Sequence, residues 1–372
     1  MIMRSSVVIR ATAAAFVMVA GAQVALAASN GTAPVQAQAT MAAGSMSATM
    51  AATTAAKQQA AMPVAMSGYQ ISVFASSTAD YFGPDSLVAD GKNVFIDYQN
   101  KTAKDCTDKN TSTVVEYTMD GKVVKTFAVP GHSDGMRMDP TTKLLWVTSC
   151  EDGNPKFVTL DPASGTMTPY VFPATPHKGG YDDVYFVNGK AYISASNPTL
   201  DSSGNNTSPA LDEMTLSSGQ VVLTPVLQGK ASATDTTKSP AASVTLNLTD
   251  PDSLSVDNNG NLVLISQGDS EIVTISNPGA KQSVSVMPVG TQLDDTVWPT
   301  SATGSLLVAD GATGNTYWVK SSSFTVGGIY TQTPDDSGVA GVLATVDSAT
   351  GTVKPFAIGF GKPTGMVFVP AS

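Results

Sequence analysis

Charge is scarce in this chain. Asp, Glu, Lys and Arg make up only 13% of its 372 residues, against about 25% in an ordinary soluble domain. The charge present is acidic on balance, 30 Asp and Glu to 20 Lys and Arg, for a net charge of −10. This excludes an electrostatic nucleic-acid binder, which needs Lys/Arg patches to neutralise phosphates. Docking on an anionic membrane surface is disfavoured for the same reason. Cysteine is limited to Cys106 and Cys150, and histidine to His132 and His177. Beyond the N-terminus no apolar run reaches the ~18 residues of a membrane span, so no membrane insertion is expected. There is no P-loop, HExxH or CxxC; nucleotide-phosphate, zincin and dithiol chemistries therefore lack their local signatures. No long 3.6-residue periodicity follows residue 68, which argues against helices there.

What is present begins with 42% hydrophobic residues, enough for a full core. Arg4 and Arg10 precede the apolar run ATAAAFVMVAGAQVAL and the small-x-small site Ala25-Leu26-Ala27. That is the pattern of a cleaved secretory signal over residues 1–27, and predicts a periplasmic or secreted protein starting at about Ala28. No Cys adjoins the cleavage site and the arginines are not adjacent, so neither a lipid anchor nor a twin-Arg signal is indicated. Arg137 is then the sole arginine left. Residues 28–68 are low in complexity, rich in Ala, Thr and Met, and read as a flexible linker. Met41, Met46, Met50, Met62 and Met66 offer soft thioethers for Cu(I), but no His or Cys accompanies them.

From residue 69 to 372 short β-rich runs (NVFIDY, TVVEYT, LLWVTS, AYISAS, LVLIS, LLVAD, TYWV) alternate with Gly, Pro, Asp and Asn turns, so this part is predicted all-β. A turn phrase recurs before a strand: Pro84-Asp85-Ser86-Leu87, Ser133-Asp134-Gly135-Met136, Tyr181-Asp182-Asp183-Val184, Pro251-Asp252-Ser253-Leu254, Asp294-Asp295-Thr296-Val297 and Pro363-Thr364-Gly365-Met366. Aligned on Asp85, Asp134, Asp182, Asp252, Asp295 and Thr364, three intervals match one four-stranded propeller blade of about 40–50 residues. Two intervals are stretched, by Ser/Thr/Gly/Asp-rich segments at residues 200–245 and 321–341 that read as loops. Six phrases predict a six-bladed β-propeller, with five or seven blades left open because the sixth lacks an evident second strand. The C-terminal GMVFVP is expected to share a mixed blade with the N-terminal YQISVFA, closing the ring without a free edge.

The segment PDSLSVDNNGNLVLISQGDSEIVTI resembles the senescence-marker-protein/gluconolactonase/luciferin-regenerating family of six-bladed propellers, and related NHL-type repeats. The resemblance implies one divalent cation in the channel, held by a Glu, two Asn and an Asp, and implies hydrolysis of a lactone or ester. The family's Asp falls on Asp252. Where the family has Glu and the two Asn, this chain has Pro84-Asp85, Ser133-Asp134 and Asp182.

Repeat-equivalent turns in a propeller share one face, so Asp85, Asp134, Asp182, Asp252 and Asp295 are candidate ligands in a ring. Close carboxylates repel unless a cation or protons intervene, and hard oxygens suit Ca²⁺, Mg²⁺ or Mn²⁺. Each Asp could equally cap its own turn. His132 and His177 precede ring members and are candidates for a base or a ligand contact, with Asp134 as the other catalytic candidate. Arg137 lies on the inner strand GMRMD as an ion-pair partner or an anchor for an anionic ligand. Trp298, near Asp295, is a candidate ligand contact. Cys106 and Cys150 follow the second strands of adjacent repeats and are placed to form a disulfide. Two functions follow: a lactone or ester hydrolase acting on a small molecule, or a non-catalytic platform binding a ligand or an envelope protein. Nothing in the sequence indicates an oligomer, so a monomer is expected.

Overall fold

Strands form where Val, Ile, Leu and aromatic runs are bracketed by turn residues. After Pro84–Ala89, Asp90 accepts the backbone N–H groups of Lys92 (2.8 Å) and Asn93 (2.7 Å). After Pro251–Val256, Asp257 does the same for Asn259 and Asn261. These caps reverse the chain and set antiparallel registers, Leu87 opposite Ile96 and Leu254 opposite Leu264. The computed structural model describes residues 62–279, 281–334, 338 and 340–371. The signal expected over residues 1–27 and most of the linker expected over residues 28–68 lie outside the described residues. Among the described residues there is no helix.

The strands make six sheets, the blades of a six-bladed β-propeller. Blade 1 runs Pro84–Ala89, Asn93–Tyr98, Thr111–Thr118 and Val123–Pro130, from the channel outward. Blade 2 is Ser133–Met138, Leu145–Ser149, Lys156–Leu160 and Met167–Tyr170, and blade 3 is Val184–Val187, Lys190–Ser194, Pro209–Ser217 and Gln220–Gln228. Blade 4 is Pro251–Val256, Leu262–Ser266, Glu271–Ser276 and Ser283–Pro288. A hairpin, Ser232–Asp235 with Ala242–Thr245, extends blade 4 outward through a parallel pairing of Thr234 with Ser285. The inner strands of successive blades touch around a closed ring.

The last two blades exchange strands. Blade 5 starts with the two-residue inner strand Thr296–Val297 and resumes only at Ile329–Thr333, Val342–Val346 and Val353–Ile358. Between these, Gly304–Asp310 and Asn315–Ser321 cross into blade 6. There they sit between the inner strand Pro363–Pro370 and the outer strand Tyr69–Ser76. Pro299 has no N–H to give a ladder, and the inner strand stops two residues before it. The closure of the ring by the two chain ends is as expected from the sequence.

Three expectations need correction. Residues 200–245 and 321–341 are not simple loops; they hold strands of blades 3, 4 and 5. LLVAD and TYWV belong to blade 6, which supplies its missing second strand. Regular structure also begins before residue 69, because Val64–Ala65 pairs with Ala357 and Ile358 at the edge of blade 5.

Second strands are sandwiched between neighbouring blades, and Leu145–Ser149 and Leu262–Ser266 are buried at every position. This explains their unbroken apolar runs. Leu254, Leu264 and Val273 of blade 4 pack on Tyr192 and Leu211 of blade 3. Truncating such a residue to Ala costs about 2–5 kcal/mol.

Candidate functional site

The starts of the inner strands meet at one mouth of the channel, around a cavity of about 80 Å³. A backbone register fixes who stands there. Ser86 Oγ accepts the N–H of Met136 in the next blade (3.1 Å), Asp183 Oδ2 that of Leu254 (3.0 Å) and Asp295 Oδ2 that of Met366 (2.8 Å). Ser86, Asp183 and Asp295 are therefore equivalents, each stitching one blade to the next. Asp294, not Asp295, is thus the blade 5 counterpart of Asp85, Asp134, Asp182, Asp252 and Thr364. The repeat alignment is one residue off at that point, because the phrase offers two adjacent Asp. In blade 2 the stitching position is Gly135, where a Cβ would lie 2.4 Å from Asp183 Cα.

All five sequence-nominated Asp line this mouth, but three carboxylates converge more tightly. Asp134, Glu151 and Asp182 each offer an oxygen, and these oxygens lie within 4.8 Å of one another. Asp134 is 9% exposed, and its Oδ2 is buried with no hydrogen-bond donor. Burial, then the charges of Glu151 and Asp85, pushes Asp134 well above the usual carboxylate range. Burial and the neighbouring Asp134 and Asp252 do the same to Asp182. Asp252 is pushed up to about 8, chiefly by burial, with Asp250, Glu151 and Asp295 adding to the rise. Glu151 differs. Burial opposes its ionisation too, but the ammonium of Lys104 in direct contact holds it below its usual value. Ionising all three would bring like charges together in a buried place, and a hard divalent cation is the chemical complement of three such oxygens.

The other nominated residues take different places. Arg137 closes the floor of the cavity: Nη2 donates to Asp183 Oδ2 at 2.7 Å and Nη1 to the Met136 carbonyl at 2.9 Å, with Asp295 3.8 Å away. Its guanidinium also lies 5.2 Å from the Tyr185 ring. Its Nη donors are thus shared between the Asp183 carboxylate and the backbone carbonyls of Met136 and Leu254. His132 is buried, its Nδ1 2.9 Å from both the hydroxyl and the carbonyl of Thr102, and it is not among the residues lining the cavity. His177 is buried as well, its Nε2 2.6 Å from the Gly180 carbonyl and its ring edge-on to Tyr181, also away from the cavity. Trp298 packs against the buried cluster of Val263, Ile265, Ile329 and Val346 between blades 4 and 5.

Cys106 and Cys150 form the disulfide, with Cα atoms 5.4 Å apart. It ties the loop carrying Lys104 to the residue preceding Glu151, so the bond braces both members of that ion pair. Gly131 lies beneath it at φ 94°, where a Cβ would meet Cys106 Sγ at 2.5 Å.

Glu151 is the residue that the repeat phrase does not reveal. Antiparallel pairing carries the signal instead. Pro84 faces Tyr98, Ser133 faces Ser149 and Pro251 faces Ser266. A residue just past any of these second strands must reach the same mouth, and Gln99, Glu151 and Gln267 all do. Lys104, Asp183 and Asp294 were also outside the nominated set.

No family model matches the chain, and no curated protein matches it. Solved structures share the propeller fold at low identity. A streptogramin B lyase is 13% identical, with a TM-score of 0.47 over 81% of this chain and 94% of the other. A protein provisionally named a gluconolactonase is 13% identical, with a TM-score of 0.44 over 81% and 84%. One from Bacteroides fragilis, provisionally named a 6-phosphogluconolactonase, is 13% identical, with a TM-score of 0.44 over 83% and 86%. The chain is similar to these in fold.

Proposed function

We propose that this protein is an exported propeller that holds one divalent cation between Asp134, Glu151 and Asp182, and that it hydrolyses an uncharged lactone or ester at that site. The observation that carries the reading is the convergence of three carboxylate oxygens within 4.8 Å; Asp134 Oδ2 is in addition buried without a donor. An all-oxygen set favours Ca²⁺, Mg²⁺ or Mn²⁺ over softer metals. When bound, such an ion supplies Lewis-acid polarisation of a carbonyl and a more acidic water.

The chain's own residues do the rest. Lys104 keeps Glu151 ionised and aimed into the cluster. Asp252, beside Asp182 at the mouth, is the group placed to take a proton from an attacking water; His132, held by Thr102 behind the wall, is not. Arg137 fixes Asp183 and Asp295 and closes the floor. Eight carboxyl groups against three cationic side chains line the cavity, so the substrate is neutral rather than phosphorylated. The disulfide fits an oxidising compartment, and among the described residues no helix is long and apolar enough to cross a membrane.

A second reading, a non-catalytic platform for a ligand or an envelope protein, is favoured by the small volume of the cleft and its Arg137 floor. Titration calorimetry with Ca²⁺, Mg²⁺ and Mn²⁺, followed by a screen of neutral lactones and esters, separates the two. One-site cation binding with cation-dependent turnover supports the hydrolase. Cation binding without turnover supports the platform. No binding overturns the metal site.

A further inference from the structure

The channel has a second chamber at its other mouth, separated from the acidic cavity by Arg137, which lines both. This chamber is larger, about 360 Å³. Its walls come from the outward halves of the inner strands: Val88, Met138, Phe186, Val297, Met366 and Val367. Arg137, Asp90, Lys143, Ser255 and Thr296 also line it, and a cavity of about 150 Å³ is already large enough to hold benzene.

The charges nearby do not call for an ionic ligand. Arg137 Nη2 is engaged by Asp183 at 2.7 Å and the Leu254 carbonyl at 3.2 Å, and Nη1 by the Met136 carbonyl. At the rim Asp90 and Lys143 oppose one another in sign, and Asp90 is already bound to backbone N–H groups. The hydroxyls of Ser255 and Thr296 pair with each other at 2.9 Å. Two thioethers and an aromatic wall favour a ring-shaped occupant, because sulfur and ring edges make attractive contacts with an aromatic face.

We propose that this chamber is a binding site for one uncharged aromatic molecule, distinct from the acidic cavity and independent of any cation there. The probe is N-phenyl-1-naphthylamine, neutral and fluorescent when it leaves water, titrated into the full chain in EDTA. Methyl-labelled methionine NMR on the same titration locates it. The expected result is saturable one-to-one binding, with the Met138 and Met366 methyls shifting at the fluorescence midpoint. Met136, fully buried and outside the chamber, stays fixed. Val367→Trp narrows the chamber and lowers affinity at least tenfold. Should that variant not fold, the methionine shifts of the unaltered protein still decide. Non-saturable fluorescence, or shifts confined to the exposed Met62 and Met66, overturns the proposal.

Discussion

Replacing Asp252 by Asn removes a carboxyl whose ionisation the fold resists. Its folded value of about 8 lies above the ordinary 3.8, chiefly because of burial. The unfolded chain therefore loses this proton first as pH rises. Stability without cation falls between about pH 4 and pH 8 and levels off above that. For an unscreened group the loss between pH 5 and pH 8 is about 3–4 kcal/mol, at ~1.4 kcal/mol per pKa unit. Asp252 is only partly buried, and solvent screening trims this to about 2 kcal/mol, or roughly 3 °C in melting temperature for a domain of this size. The buried His177 imidazole, held below its usual value, acts in the opposite sense near pH 6, but it is common to both proteins and cancels in their difference. Scanning calorimetry in EDTA at pH 5 and pH 8 should show Asp252→Asn gaining about 3 °C on the parent protein over that range. A constant difference, or one that shrinks with pH, would refute the claim that the mouth holds strained carboxylates.

Glu151→Gln removes one oxygen charge of the cluster and leaves Lys104 without its partner; calorimetry should show at least tenfold weaker Mn²⁺ binding with little change in melting temperature. Reduction, or Cys106→Ser with Cys150→Ser, opens a link spanning a sequence separation of 44. It should cost about 4 kcal/mol by urea denaturation and weaken cation binding, because Lys104 and Glu151 lose their brace. Arg137→Met leaves Asp183 and Asp295 facing each other unpaired, and should destabilise the fold by about 3–5 kcal/mol near neutral pH, with recovery as pH is lowered and those carboxyls protonate.

Fold and ring were legible because a propeller writes its symmetry into the chain. The phrases ending at Leu87, Met136, Leu254 and Met366 all open inner strands, and their Asp85, Asp134, Asp252 and Thr364 share one end of the channel for that reason. The strand exchange between blades 5 and 6 was not legible. Leu307 and Trp318 have the texture of blade strands, but texture does not name a partner, and only the short strand before Pro299 hints that the meander breaks. Asp294 was displaced from the ring by its neighbour, because either Asp fits the phrase and only the N–H of Met366 distinguishes them. Glu151 was hidden because it reaches the mouth by pairing across a hairpin rather than by repetition. The local partners that hold one ring nitrogen of His132 and one of His177, Thr102 and the Gly180 carbonyl, were not legible either, because they come from turns that the repeat does not describe.

The central claim is that Asp134, Glu151 and Asp182 hold a divalent cation. Anomalous scattering from crystals of the protein grown with Mn²⁺ tests it most directly. The account predicts one strong peak among those three carboxylates, absent in crystals of Asp134→Asn. A map with no peak there, or with manganese only at exposed surface carboxylates, would contradict it.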